Sequence, residues 1–311
     1  MIGSHYDTVR FSPGANDNLS AVAVSLEVAR VLMSLEEPPT IIIAAFTLEE
    51  GHPGLLKHRT EMLQKHGIKD ANDRFVTIDW MKAHTSVVNK ARMHYRSGEV
   101  SRNLYEYVVN NEELTSNEKK IAEIFCEVYK GFDEDKEDKA LGLVGSSYYV
   151  DEAVKNKVAL DHVIVYDCLG WMKQGHSTQR KLPITKEMAP FIQNHKIDED
   201  KNAGNFIGIF GDINSAKYLH TFTEHCRGEA IDIPHMGMHI PVNYKQIKTM
   251  MPDVLRSDHA PFWKHDIPGI FISDFANFRS DLYHTAGDIS HAIDYDMLRR
   301  ITIATLNYII N

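Results

Sequence analysis

The sequence predicts an α/β protein with a mostly parallel, twisted central sheet and helices on both faces. Three observations carry that expectation. Continuous apolar, β-branched runs alternate with segments of helical periodicity, which is the signature of a sheet covered on both sides. The runs end in polar or acidic residues rather than in hairpin turns. At 311 residues the chain suffices for one large domain, or for one domain carrying an insertion.

The elements follow in order. Met1-Ile2-Gly3 reads as the inside of a strand, and from Leu19 to Leu35 the residues Leu19, Val22, Leu26, Val28 and Leu32 recur at helical spacing before Pro38-Pro39 stops the run. "TIIIAAFTL" (Thr40 to Leu48) is expected to be a strand buried on both faces, ending in Glu49-Glu50-Gly51. Residues 55–143 differ: rich in Lys, Glu, Asn and His, with "NEKKIAEIFCEVYK" and the acidic run "DEDKED", they read as a mainly helical insertion between 1–54 and 144–311. Further strands are expected at "VIVYDC" (Val163 to Cys168), "NFIGIFG" (Asn205 to Gly211) and "GIFIS" (Gly269 to Ser273). Helices are expected at "SAKYLHTFTEHC" and from Tyr295 onward.

Composition removes several function classes. No apolar run approaches the ~20 residues of a membrane-spanning helix, so no membrane partner is expected. Lys and Arg number 34 against 43 Asp and Glu, a net charge of −9, and no basic stripe with interleaved aromatics stands out. A nucleic-acid partner is therefore not expected either. The three cysteines, Cys126, Cys168 and Cys226, form neither a disulfide framework nor a CxxC zinc motif. No secretion signal is evident, so the chain as given reads as cytoplasmic while its compartment stays unassigned.

The chemistry-bearing residues are recognised by position. Glu49-Glu50 follow an apolar strand, where charge is costly unless a partner compensates it. Asp167 repeats the pattern after "VIVY", and His284 lies in the polar loop "YHTAGD" soon after "GIFIS". His5 and Asp17 belong to "GSHYDTVRFSPGANDN", a loop no core requires. The five residues His5, Asp17, Glu50, Asp167 and His284 are thus expected at one edge of the sheet, where α/β sheets bind ligands. Two imidazoles and three carboxylates suit Zn²⁺, with Mn²⁺ or Co²⁺ as substitutes. A bridging Asp17 would let the set hold two ions.

These pieces, "GSHYDTV", "GANDNLSAVAVSLEVARVL", "IIIAAFTLEEG", "VGSSYYV" before "HVIVYDCLGW", "RSDHAPFWKHDIPGIFIS" and "YHTAGD", resemble in order the M28 family of co-catalytic zinc aminopeptidases. The resemblance implies a zinc-exopeptidase fold of the phosphorylase/hydrolase-like kind. It implies two Zn²⁺ per chain, with His5 and Asp167 on one, Glu50 and His284 on the other, and Asp17 between them. Glu49 would be the general base and Asp7 the carboxylate supporting His5, and the substrate would be a peptide with a free N-terminus. Asp258-His259 match a further family motif and are expected to support the site. Relative to the family, the N-terminus reads as truncated, and the insertion reads as a lid, a size filter or an arm for homo-oligomers.

Other histidines, His58, His66, His84, His94, His235 and His239, are expected at the surface or in packing, and Cys168 as a small buried residue. Two other function classes compete: a glutaminyl-cyclase-like acyltransferase with one zinc, and an inactive peptidase-like scaffold. Asn18 in "GANDN" and the complete ligand set favour the peptidase.

Overall fold

The computed structural model describes residues 1–51, 53–97, 104–130, 142–182, 184, 186, 188–198 and 201–311. These form two compact units: Met1–Glu49 with Gly145–Lys245 and Arg256–Asn311, and Glu50–Val144 with Gln246–Leu255. The acidic run at 133–138 lies outside the described residues.

In the first unit the strands are β1 (Ile2–His5), β2 (Ile43–Phe46), β3 (Val163–Asp167), β4 (Ile192–His195), β5 (Ile207–Gly211), β6 (His235–His239) and β7 (Gly269–Ser273). They make one sheet in the order β2-β1-β3-β7-β5-β6-β4. β2, β1, β3 and β7 are mutually parallel, so their carboxyl ends share one edge. β5 and β6 are parallel to each other but run against β7, and β4 runs against β6.

Side-chain alternation along β3 shows how both faces are covered. Ile164 and Tyr166 pack on one face with Val24, Val28 and Ile301 from α1 (Ser20–Leu32) and the closing helix Tyr295–Ile310. Val163 and Val165 pack on the other with Phe46, Val150 and Phe262. Tyr166 also reaches the closing helix by a hydrogen bond, 2.5 Å from its hydroxyl to Thr305 Oγ1.

Two expectations are corrected. β2 is not buried on both faces: it is the edge strand, with only Phe46 buried and Ala45 exposed. Its β-branched residues mark strand propensity, which does not separate an edge from a centre. β4 and β6 went unrecognised, because "HMGMH" carries no β-branched residue and has a glycine at its centre; its strand character comes from pairing on both sides.

The second unit has its own core. Helices Pro53–Lys65, Ile78–Ser97, Leu104–Asn111 and Ser116–Val128 bury Leu63, Val87, Val108, Ile121 and Phe125 together. The last of these helices begins with a capping box, in which the Thr115 side chain accepts from the Glu118 amide and Glu118 accepts from the Thr115 amide. His84 packs between Phe75 and Phe125, while His58 and His66 are exposed.

His235 is wholly buried in β6 and its Nδ1 donates to the Ile233 carbonyl at 2.8 Å. Burial holds its pKa down to about 4, against an ordinary 6.5. The unfolded chain therefore protonates this ring at higher pH than the folded chain does. The stability gained from the neutral ring is complete above pH 6.5 and is lost as pH falls from 6.5 to 4. We predict that unfolding free energy falls through that window and that His235→Asn flattens the slope by about 1.4 kcal/mol per pH unit. Denaturant titrations at stepped pH check this, and an unchanged slope rejects it.

Candidate metal centre

His5 ends β1, Glu49 and Glu50 follow β2, Asp167 ends β3, and His284 lies in the loop beyond β7. Asp17 sits in a wide helical turn, Ala15–Leu19, that leads into α1, and its dihedrals (φ −111°, ψ 87°) depart from helical values. The turn starts at Gly14, with φ 68°, where a Cβ would lie 2.7 Å from the Asp17 carbonyl oxygen. Glycine is required there for both reasons.

The structure brings His5, Asp17 and Asp167 together, with one donor atom of each within 4.8 Å of the others. Asp17, Glu50 and His284 meet the same criterion. Glu50, the first residue of the second unit, is joined to Glu49 by the peptide bond at which the units divide. His5 Nε2 is 3.3 Å from Asp17 Oδ1, 3.7 Å from Asp167 Oδ1 and 3.9 Å from Glu49 Oε2. His284 Nε2 is 3.0 Å from the other oxygen, Asp17 Oδ2. Each oxygen of Asp17 therefore faces a different imidazole.

His5 Nδ1 lies 3.1 Å from the Asp7 carbonyl, which can only accept, so Nδ1 carries the hydrogen and Nε2 faces the carboxylates. The Asp7 carboxylate is farther from the ring, at 3.7 Å, and instead accepts the Glu49 amide at 3.2 Å. Asp7 thus ties the end of β1 to the residues following β2.

Burial depresses the basicity of His5, but Asp167, Asp17, Asp7 and Glu49 outweigh that and raise its pKa well above the ordinary value. Asp17, almost fully buried, would be raised by desolvation, but His284 and His5 hold it below the usual carboxylate range. The site thus concentrates negative charge in a dry place and demands positive charge in return. The donor set fits a metal: the 3.3 and 3.0 Å separations approach the ~3.4 Å between neighbouring ligands of a tetrahedral ion with ~2.0–2.1 Å bonds.

Asp258 and His259 are both fully buried, and neither side chain caps the short helix Ala260–Lys264. His259 stacks on Phe271, ring centres 4.2 Å apart. Burial pushes Asp258 up to about 7, with His5 opposing.

Buried polar residues to which sequence reasoning gave no structural part hold the site in place. Asn18 Nδ2 donates to the Tyr166 carbonyl and Asn18 Oδ1 accepts the Cys168 amide, both at 3.0 Å, so one side chain brackets Asp167. Asn16 accepts the Gly170 amide and donates to Asp274, which also accepts the Trp171 amide. Asp274 is fully buried and burial pushes it up to about 7. It follows "GIFIS" as Asp167 follows "VIVY", so the same strand-end signal could have found it.

A largely parallel α/β sheet that gathers imidazoles and carboxylates at the carboxyl edge defines a class, the α/β proteins with a mixed nitrogen and oxygen centre at their strand ends. Within that class the chain belongs to peptidase family M28: residues 1–125 and 234–309 match its description, "Peptidase family M28". The resemblance drawn from the motifs is borne out; Asp167 lies between the two matched segments. Aminopeptidase YwaD of Bacillus subtilis (strain 168) is 40% identical over 92 residues, 28% of this chain and 20% of that protein. Among solved structures, the Legionella pneumophila LapA aminopeptidase matches 99% of this chain and 49% of its own length, at 13% identity and TM-score 0.50. LapB from Legionella pneumophila matches 99% and 50%, at 14% identity and TM-score 0.50. Those two likenesses are of fold, and the chain spans about half the length of either structure.

The Asn18 bracket leads to a stability prediction. Asn18→Leu keeps the volume but strands two buried backbone groups, at about 1–3 kcal/mol each. Urea unfolding should show a loss of about 2–6 kcal/mol with an unchanged m-value, and a loss below about 0.5 kcal/mol rules the bracket out as a stabilising element.

Proposed function

We propose that this chain is a zinc-dependent aminopeptidase acting on peptides with a free N-terminus, its chemistry carried at the carboxyl edge of the sheet. The observation that carries the reading is Asp17, whose two oxygens face His5 at 3.3 Å and His284 at 3.0 Å. That arrangement suits a bridging carboxylate between two ions, His5 and Asp167 completing one set and Glu50 and His284 the other. Membership of a peptidase family supports it, as does the similarity to a protein named an aminopeptidase.

When bound, two zinc ions would supply a water acidic enough to attack at neutral pH and would polarise the scissile carbonyl. The remaining work falls to the chain. Glu49 is mostly buried with its Oε2 near His5, and its amide is held by Asp7. In this reading Glu49 Oε2 takes the proton of the attacking water and passes it to the departing amine. The surplus of carboxylates at this edge favours an ammonium group on the substrate, which selects for a free N-terminus.

No helix among the described residues is long and apolar enough to cross a membrane.

Elemental analysis of the zinc-equilibrated chain, paired with hydrolysis of aminoacyl-p-nitroanilides, tests the reading. Two ions per chain and turnover abolished by a chelator are expected. One ion would turn the reading to the single-zinc acyltransferase, and none would leave the scaffold. Glu49→Gln should keep both ions and lower kcat by ~10²–10⁴-fold, since it removes a base without removing a ligand. Asp17→Ala should empty at least one position. Near-normal turnover in Glu49→Gln would defeat the assignment of the base.

A further inference from the structure

One buried carboxylate at this edge has no part in the chemistry above. Asp288 is 3% exposed. Three successive amides of the loop leading to Asp17 converge on this residue. The Ala15 N–H donates to its carbonyl at 3.1 Å, the Asn16 N–H to Oδ1 at 2.7 Å and the Asp17 N–H to Oδ2 at 3.1 Å. Such a nest of consecutive amides is where a carboxylate is best held.

Asp288 is also tied to His284, four residues earlier. The Thr285 hydroxyl donates to the Leu282 carbonyl and accepts the Gly287 amide, and the Asp288 amide donates to the Thr285 carbonyl. The segment from His284 to Asp288 is thus a closed turn. It grips Asp17 from two directions, through the backbone amide by Asp288 and through Oδ2 by the imidazole of His284. The two segments are 271 residues apart in sequence, and these contacts set their separation.

We propose that Asp288 is a positioning residue that fixes the separation of Asp17 from His284, and so the affinity of the site for the ion these two would share. The inference rests on the metal-centre reading above. It assigns Asp288 no proton transfer and no ligand bond; the residue acts through the backbone of Asp17. Asp288→Asn replaces an acceptor oxygen with a donor that faces an N–H group, so the loop must move while the volume stays constant.

Zinc affinity of the full chain, measured by competition with a chromogenic chelator, tests this together with thermal unfolding of the metal-free chain. Asp288→Asn is expected to weaken the weaker-bound zinc by about 10–100-fold, the usual cost of losing an orienting partner. Asp294→Ala serves as the control for a structural role. Asp294 caps the closing helix by accepting the Met297 amide at 2.9 Å, so its loss should lower the unfolding temperature and leave zinc affinity unchanged. If Asp288→Asn fails to fold, Asp288→Glu replaces it, keeping both acceptor oxygens but lengthening the arm, with a smaller loss of affinity expected. A wild-type chain that binds two zinc ions, with an Asp288 variant that binds them equally well, overturns the positioning role alone. A wild-type chain that binds no zinc overturns the metal-centre reading and this inference with it.

Discussion

Asp7, Asp17, Glu49 and Asp167 bring four carboxylates to one edge of the sheet, around an imidazole with no exposed surface. Like charges gathered in a dry place repel one another, and burial adds a desolvation cost to each. Nothing in the intrinsic preferences of these residues brings them together. The backbone around them must therefore be held against that repulsion, and the rest of the unit can be understood as the means of holding it.

Most of the holding is done by uncharged donors and acceptors. Asn16 and Asn18 flank Asp17 and reach across to the end of β3 and the segment after it, where they satisfy the Tyr166 carbonyl and the Cys168 and Gly170 amides. Ser20 accepts the Leu169 amide in the same manner. The loop after β3 would otherwise carry unsatisfied backbone groups into the interior, at a cost comparable to that of a lost hydrogen bond. One set of short polar side chains thus serves two purposes, pairing the buried backbone and setting the distance between Asp17 and Asp167.

The frame of the site was legible in the sequence because it rests on local signals. A carboxylate directly after an apolar strand is conspicuous, and Glu49, Glu50 and Asp167 were found in this way. β1, β3, β5 and β7 were likewise visible as apolar runs. Pairing information was not visible. The edge position of β2, the reversed direction of β5 and β6, and the strand "HMGMH" depend on neighbours distant in sequence. The polar frame was obscured for the same reason: an asparagine in a loop has the look of a turn residue until the structure reveals a backbone carbonyl 148 residues away as its partner.

The strand ends show a related economy. Leu48, Cys168 and His284 all adopt left-handed backbone, with φ of 58°, 59° and 59°, and each stands beside or within the set of candidate ligands. None is glycine, so each costs about 1 kcal/mol or more and persists only where its surroundings leave no alternative. The surroundings are specific at Cys168, whose amide is held by Asn18 and whose carbonyl accepts the Asp274 amide. A left-handed residue turns the chain sharply, here two residues after β2, directly after β3 and in the loop beyond β7. The polar frame therefore does more than counter repulsion between carboxylates. It also holds the sharp turn at Cys168, directly after Asp167, which links the local strain at that strand end to the site.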